Sequence, residues 1–148
     1  MAVVAVGAVA AFEAAVALAN ARWYAGLLKP TFAPSPRLAA VAGLALAAVT
    51  ARALFRVLRR PDYLPDRPGA LRLVAAALGL QALWCWLFFA GRHPSVALAV
   101  AAALGLGSGW AALRCAAVER RAGLLMLPFA LSGLFVVLLD LSIALRNG

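Results

Sequence analysis

The stretch AGLLMLPFALSGLFVVLLDLSIAL, residues 122–145, decides the class of fold. It contains 24 residues and a single charged side chain, that of Asp140. A transmembrane helix needs about 20 consecutive, mostly apolar residues to cross the hydrocarbon core of a bilayer. These residues therefore predict a membrane-spanning helix.

Four further apolar runs lie upstream, over about residues 2–19, 37–58, 70–90 and 95–117. Hydrophobic residues make up 66% of the chain and its mean hydropathy is +0.97, more than the surface of a water-soluble domain tolerates. Five crossings of about 20 residues each use most of the chain and leave only short loops. We therefore predict an all-α integral membrane bundle of five transmembrane helices, forming a single domain over residues 1–148.

The chain has 14 basic residues against five acidic ones, a formal net charge of +9. The basic residues cluster between the apolar runs, which is typical of loops facing anionic lipid headgroups and not of a nucleic-acid-binding surface. One side of the predicted bundle carries nine of them: Arg52, Arg56, Arg59, Arg60, Arg67, Arg72, Arg114, Arg120 and Arg121. The other side carries five: Arg22, Lys29, Arg37, Arg92 and Arg146. By the positive-inside rule, this difference predicts a cytoplasmic N-terminus and a C-terminus outside.

Polar side chains inside the apolar runs are the first candidates for a binding site. Glu13, Gln81 and Asp140 lie in the first, third and fifth runs, which cross in the same direction. A carboxylate at the centre of a transmembrane helix costs about 2.5–3.5 kcal/mol on insertion scales, so each acid needs a partner or a polar cavity. With a rise of about 1.5 Å per residue, all three side chains fall in the half of the bundle nearest the first loop.

Aromatic side chains from the third run and the first loop fall in the same half. They are Trp23, Tyr24, Phe32, Trp84, Trp86, Phe88 and Phe89. Aromatic walls with a few polar groups are typical of a pocket that orients an apolar ligand. The alternative is that the aromatic rings form interfacial belts and the acids pair with Arg22 or Lys29 near the membrane surface.

The sequence offers little sign of metal, redox or hydrolytic chemistry. Cys85 and Cys115 lack CxxC spacing, and His93 stands alone in a short turn, whereas metal sites need several convergent ligands. We also find no nucleophile with a base and no phosphate-binding loop. The expectation is a protein that is not an enzyme, binds no metal and requires no cofactor.

Gly105 and Gly109 form a GxxxG pattern in the fourth run. Small residues at this spacing let two membrane helices approach closely, either within one chain or between two copies of it. The pattern is therefore compatible with a homodimer, although a chain this rich in alanine produces it easily.

The first loop, WYAGLLKPTFAPSP over residues 23–36, resembles the TspO/translocator protein family, also called tryptophan-rich sensory proteins or peripheral-type benzodiazepine receptors. The resemblance rests on Trp23-Tyr24, Leu27, Lys29-Pro30 and Pro34 at the family spacing. Two further blocks agree with it. Trp84 followed by Phe88-Phe89 is similar to the third-helix signature, and AGLLMLPF at 122–129 is similar to the start of the fifth helix.

The resemblance implies a five-helix bundle, often dimeric, with a pocket under the first loop for porphyrins, sterols or other bulky apolar rings. It also implies an association with tetrapyrrole and stress regulation, and in some bacterial members with light-dependent porphyrin breakdown. The ligand-binding residues expected from the resemblance and from the polar and aromatic pattern are Trp23, Tyr24, Lys29, Pro30, Gln81, Trp84, Phe88, Phe129 and Asp140.

Several interior positions depart from the family pattern. Gly43 and Ala47 replace a Trp and a Tyr, Ala77 a Gln, Gln81 an Asn, Phe129 a Tyr, Ser132 a Trp, and Asp140 an Asn. These differences remove aromatic walls and add a charge. Because the tryptophans of the second and fifth helices are absent, we do not expect light-dependent porphyrin breakdown.

The predicted function is that of a membrane sensor or carrier for a porphyrin, another tetrapyrrole or a similar apolar ring. In this hypothesis Lys29 and Arg22 pair with ligand carboxylates, while aromatic side chains of the third helix stack on the ring. The alternative is a proton-coupled transporter that uses Glu13 and Asp140 as relay carboxylates. A purely structural bundle is the third hypothesis.

Overall fold

Helices account for nearly all of the regular structure in the computed structural model, which describes residues 2–147 and contains no strand within them. In chain order they are α1 (Ala2–Ala19), α2 (Ala21–Ala25), α3 (Pro36–Leu58), α4 (Asp66–Cys85), α5 (Pro94–Val118) and α6 (Arg120–Asn147). A π-helical turn, Trp86–Ala90, extends α4. The all-α prediction is confirmed.

Four of these helices are long and apolar enough to cross a membrane: Pro36–Leu58, Asp66–Ala90, Pro94–Val118 and Arg120–Asn147. The apolar part of α1, Val4–Ala19, is shorter. The predicted runs lie inside these helices, and the largest difference is at α4, which begins four residues before the predicted run. An aspartate in the first turn interacts favourably with the helix dipole, so Asp66 extends the helix beyond its apolar residues.

The start of α3 is fixed by local sequence. The Ser35 side chain accepts a hydrogen bond from the Leu38 amide at 3.2 Å, and Pro36 occupies the first helical position. Serine at the N-cap and proline at the next position are both preferred at helix starts, since each suits amides that lack an intrahelical partner. The first loop therefore ends at a defined point, directly above the interior of the bundle.

The long helices form a closed ring in the order α1, α3, α6, α5, α4, with α4 packing back against α1. Two buried clusters fill this ring. One lies toward the α3–α4 and α5–α6 connections and includes Val57, Val74, Leu104 and Met126. The other lies under the first loop and contains the aromatic side chains of Tyr24, Trp84, Phe88 and Phe89. Within α3, the buried side chains are confined to its C-terminal half, from Thr50 onward.

The closest helix contacts in the ring join α5 to α6. A Cβ atom added at Gly133 would lie 2.8 Å from Ser108 Oγ and 3.3 Å from the Gly105 Cα. Gly105 of the GxxxG pattern therefore serves packing within the chain. Gly109, in contrast, has no atom within 4 Å of its added Cβ.

A partly buried carboxylate joins the end of α3 to the α5–α6 turn. Arg56 Nη1 donates to Glu119 Oε1 at 2.6 Å and Arg60 Nε donates to Glu119 Oε2 at 3.1 Å. The Glu119 side chain is only 10% exposed. Arg60 and Arg56 lower the pKa of the Glu119 carboxyl below its usual range.

Replacing Glu119 with glutamine is expected to lower the melting temperature in detergent at neutral pH, because two arginines lose a charged acceptor. Since the folded-state pKa of Glu119 is lowered, its contribution is fully present above the usual carboxyl pKa of about 4.3. It is lost as the pH falls through the lowered value. The difference in Tm between the wild type and Glu119→Gln should therefore be largest near neutral pH and shrink in acid.

The matched control is Asp62→Asn. Asp62 pairs with Arg67, but its side chain is 89% exposed, and exposed ion pairs contribute little. We expect no measurable change in Tm for this variant. A Glu119→Gln difference of the same size at pH 7 and pH 3 would contradict the role assigned to the carboxylate.

Candidate functional site

A cavity of about 440 Å³ lies beneath the first loop, between α1, α3, α4 and α6. This volume falls within the range of roughly 300–1,000 Å³ that is usual for small-molecule pockets. Its walls are mostly apolar. The aromatic and polar side chains that line it are Glu13, Tyr24, Phe32, Gln81, Trp84, Phe88, Phe89, Ser132 and Phe135.

The first loop forms a tethered roof over the cavity. The Tyr24 hydroxyl donates to the Pro34 carbonyl oxygen at 2.9 Å, across ten residues of the loop. Leu28 and Asn147 exchange two hydrogen bonds, of 3.0 Å and 2.9 Å, which attach the loop to the end of α6. These ties hold the loop in place without any help from a ligand.

Lys29 belongs to the roof and does not line the cavity. Its ammonium donates to the carbonyl oxygens of Tyr24, Leu27 and Ala25 at 2.7, 3.2 and 3.3 Å. It also lies 4.8 Å from the centroid of the Tyr24 ring. A cation at the C-terminal end of α2 is favourable because the last carbonyl groups of a helix lack partners.

Three buried aromatic rings, those of Trp84, Phe88 and Phe89, form the wall on the α4 side. Trp84 and Phe88 are stacked with centroids 5.4 Å apart, and Phe88 and Phe89 meet edge to face at 4.9 Å. Tyr24 of the roof packs on Phe89 at 5.6 Å. Trp23 packs on Phe88 from outside the cavity, at 5.7 Å.

The π-helical turn determines where this wall ends. The Gly91 amide donates to the Trp86 carbonyl oxygen, five residues back, at 2.8 Å. A side chain at Gly91 would bring its Cβ within 2.9 Å of the Leu87 carbonyl oxygen, so glycine permits the tight exit from the turn. Such turns inside α-helices occur frequently at functional sites, where they change the direction of side chains. Here the turn contains Phe88 and Phe89, both of which line the cavity.

The polar lining is concentrated where α1 faces α4. Glu13 and Gln81, which the sequence places in the same half of the bundle, both line the cavity. The Glu13 Oε1 atom is buried without a hydrogen-bond partner in the part of the chain that the structure describes. A second, small pocket of about 20 Å³ adjoins Glu13 and Gln81, and Thr50 and Phe129 lie on its wall.

Asp140 lies behind the aromatic wall. Its side chain is fully buried, and its Oδ2 atom accepts a hydrogen bond of 3.1 Å from Trp84 Nε1. Its Oδ1 atom has no partner among residues 2–147. Asp140 therefore orients the Trp84 ring, and Leu139 beside it reaches the cavity.

Four of the nine predicted ligand-binding residues line the cavity: Tyr24, Gln81, Trp84 and Phe88. Trp23, Lys29 and Pro30 support the roof, Phe129 lies in the small pocket, and Asp140 holds Trp84. The prediction did not include Phe135, Val136 and Leu139 of α6. These residues recur at a spacing of three to four with Ser132, which is the signal of one helix face.

Within residues 2–147, no group of three or more His, Cys, Asp or Glu side chains could hold a metal ion. The candidate site is an aromatic cavity with a tethered roof and a polar edge. A cavity with mostly apolar walls and a few polar groups is typical of a small-molecule binding site.

Comparison with known proteins supports the resemblance found in the first loop. A search of curated proteins found no match. A model of the TspO/MBR family matches residues 1–146, which is nearly the whole chain. The match includes the first loop, the α4 aromatic block and the start of α6 in their order. Together with four helices able to cross a membrane, it shows that this chain is an integral membrane protein that belongs to the TspO/MBR family.

Proposed function

We propose that the protein is a membrane sensor or carrier that binds a bulky apolar ring compound, such as a porphyrin or other tetrapyrrole, beneath the first loop. The observation that carries this proposal is the cavity of about 440 Å³ with four buried aromatic rings in its wall or roof. Flat rings bind well against aromatic faces, because offset stacking adds to the burial of apolar area.

The α3 side of the cavity leaves room for such a ring. Gly43 lines the cavity, and beyond its own stretch of α3 no atom of the described residues lies within 4 Å of an added Cβ. The N-terminal half of α3 also contributes no buried side chain to the core. A flat ligand between α3 and the Trp84–Phe88 stack would thus occupy space that the protein does not fill itself.

Protoporphyrin IX is expected to quench the tryptophan fluorescence of the purified protein in a saturable manner, because Trp84 lines the cavity. Gly43→Phe should weaken this binding at least tenfold by filling the space opposite the stack. Gly79→Phe is the matched control, since Gly79 has no neighbour within 4 Å of its Cβ and does not line the cavity. A wild-type protein that shows only linear, unsaturable quenching would contradict the proposal.

Proton-coupled transport is the second candidate function. It is supported by two carboxylates, Glu13 and Asp140, that each have one buried oxygen without a partner within the described residues. Ionisable groups inside a membrane frequently mark ion or proton pathways. A proton-dependent flux in proteoliposomes that is unchanged by Glu13→Gln would exclude this mechanism.

We further propose that the chain forms a single domain that crosses the membrane five times, with α1 as the first span. The 18 residues of α1 extend about 27 Å, and α2 continues the path after a break at Asn20. Asn20 bridges the break, since its side chain donates to the Val16 carbonyl oxygen at 2.9 Å. Reporter fusions at the two ends of the chain test this topology. With five crossings, the N-terminal fusion should report the cytoplasm and the C-terminal fusion the opposite side of the membrane.

A homodimer is also part of the proposal. Its support is the unoccupied space at Gly109 and the exposure of Leu106, Trp110 and Leu113 along the same helix. Cross-linking in native membranes tests it, and a species of monomer mass alone would count against it.

A further inference from the structure

The lining of the cavity contains an acidic side chain and, among the described residues, no basic one. Glu13 is the only acidic side chain in its lining, and no lysine, arginine or histidine within residues 2–147 lines it. The nearest roof cation, Lys29, is already surrounded by three carbonyl oxygens. Arg22 is exposed and does not line the cavity. Ligand carboxylates would therefore find no counter-ion inside.

The aromatic wall also favours a cation over an anion. The face of an aromatic ring is electron-rich, and a cation held within about 6 Å of it is attracted electrostatically. Trp84 is the strongest such surface here, and its N–H is directed away from the cavity by the hydrogen bond to Asp140. Phe88 and Phe89 add two further rings, whereas Lys29 already lies 4.8 Å from the centroid of the Tyr24 ring.

One oxygen of Glu13 is left without a partner in a place that a ligand can reach, although Gln81 lies beside the carboxyl group. Its Oε1 atom is buried and accepts no hydrogen bond from residues 2–147, although the side chain lines the cavity. A buried carboxylate oxygen without a donor is unfavourable, so a donor supplied by a ligand would be bound strongly. Gln81, on the same edge, offers a neutral amide beside it.

We propose that the ring compound bound in this cavity carries a protonated amine, which donates to Glu13 while the ring packs against Tyr24, Trp84 and Phe88. This inference rests on the proposed function and narrows its ligand to ring compounds that carry an amine; protoporphyrin, whose carboxylates find no counter-ion in the lining, should bind more weakly than such a compound. In this proposal the ligand is held by an ion pair between its ammonium group and Glu13. No ion pair between a ligand carboxylate and Lys29 is involved.

Three probes that share one ring separate charge from shape: 1-pyrenemethylamine, 1-pyrenemethanol and 1-pyreneacetate. Each is titrated into the protein in phosphatidylcholine nanodiscs, with empty nanodiscs to subtract partitioning into lipid. Energy transfer from tryptophan to pyrene reports binding. We expect the ammonium to bind at least about tenfold more tightly than the alcohol, and the carboxylate to bind most weakly.

Glu13→Gln should reduce the affinity for the ammonium to that for the alcohol, while the affinity for the alcohol stays within about twofold. The alcohol therefore reports that the variant cavity is intact, and the order of the three wild-type affinities tests the proposal without any variant. Equal affinities for the three probes, or an ammonium preference that survives Glu13→Gln, would overturn it. If neither the pyrenes nor protoporphyrin bind, the proposed function itself fails.

Discussion

Gly123→Ala is expected to destabilise the protein by about 2–3 kcal/mol, a large effect for the addition of one methyl group. The added Cβ would lie 2.4 Å from the Ala116 Cβ, 2.7 Å from its Cα and 2.9 Å from its backbone nitrogen. None of these atoms can rotate away, so α5 and α6 would have to separate. Both helices meet here because the chain reverses at Glu119, one residue beyond α5.

The control is Gly109→Ala in the middle of α5. No atom lies within 4 Å of that Cβ, and alanine is favoured over glycine in a helix by about 1 kcal/mol. This variant should be as stable as the wild type or more so. Cys85 and Cys115 are both free and buried, so a thiol-reactive fluorophore reports unfolding as the temperature is raised. Equal transition temperatures for the two glycine variants would show that the α5–α6 approach is less rigid than described.

The positions of the long helices could be predicted from sequence because both their signals are local. A run of about 20 apolar residues specifies a membrane span, and prolines or charged residues specify its ends. Two smaller elements carry no such signal. The five residues of α2 are too few for a helical period, and nothing in Trp86–Ala90 distinguishes a π-helical turn from the α-helix before it.

The sequence predicts how far along each helix the site residues lie, but not which way their side chains face. Counting residues along each helix places Glu13 and Gln81 in the half of the bundle nearest the first loop, and both line the cavity. The same arithmetic says nothing about rotation around the helix axis. Asp140 and Leu139 differ by about 100° around α6, and it is Leu139 that lines the cavity while Asp140 holds Trp84. That rotation depends on packing between distant helices.

The partner of Lys29 also lay beyond sequence reasoning. A lone lysine beside an aromatic loop suggests a contact for an anionic ligand, because an ammonium group pairs well with a carboxylate. The three carbonyl oxygens that hold it become neighbours only because α2 ends at Ala25 and the chain turns back over it. An element that could not be predicted thus changes the electrostatic character of the whole site.

Trp84→Phe is expected to cost about 1–3 kcal/mol of stability beyond the loss of apolar contact. The indole N–H is the donor to Asp140 Oδ2, and Asp140 Oδ1 has no partner among the described residues. Phenylalanine would leave both oxygens of a fully buried carboxyl group unpaired. Trp110→Phe is the control, because Trp110 is 58% exposed and makes no hydrogen bond of this kind.

A double-mutant cycle separates the hydrogen bond from the ring. In an Asp140→Leu background there is no acceptor to leave unpaired, so the cost of Trp84→Phe should fall to that of the smaller ring alone. The two substitutions together would then be less harmful than the sum of the single effects. If the effects simply add, the 3.1 Å contact between Trp84 and Asp140 contributes nothing specific. If they couple, the position of Trp84 is set from behind by Asp140, which would make this carboxylate a positioning residue for the ring-binding wall and leave Glu13 as the acid that meets a ligand.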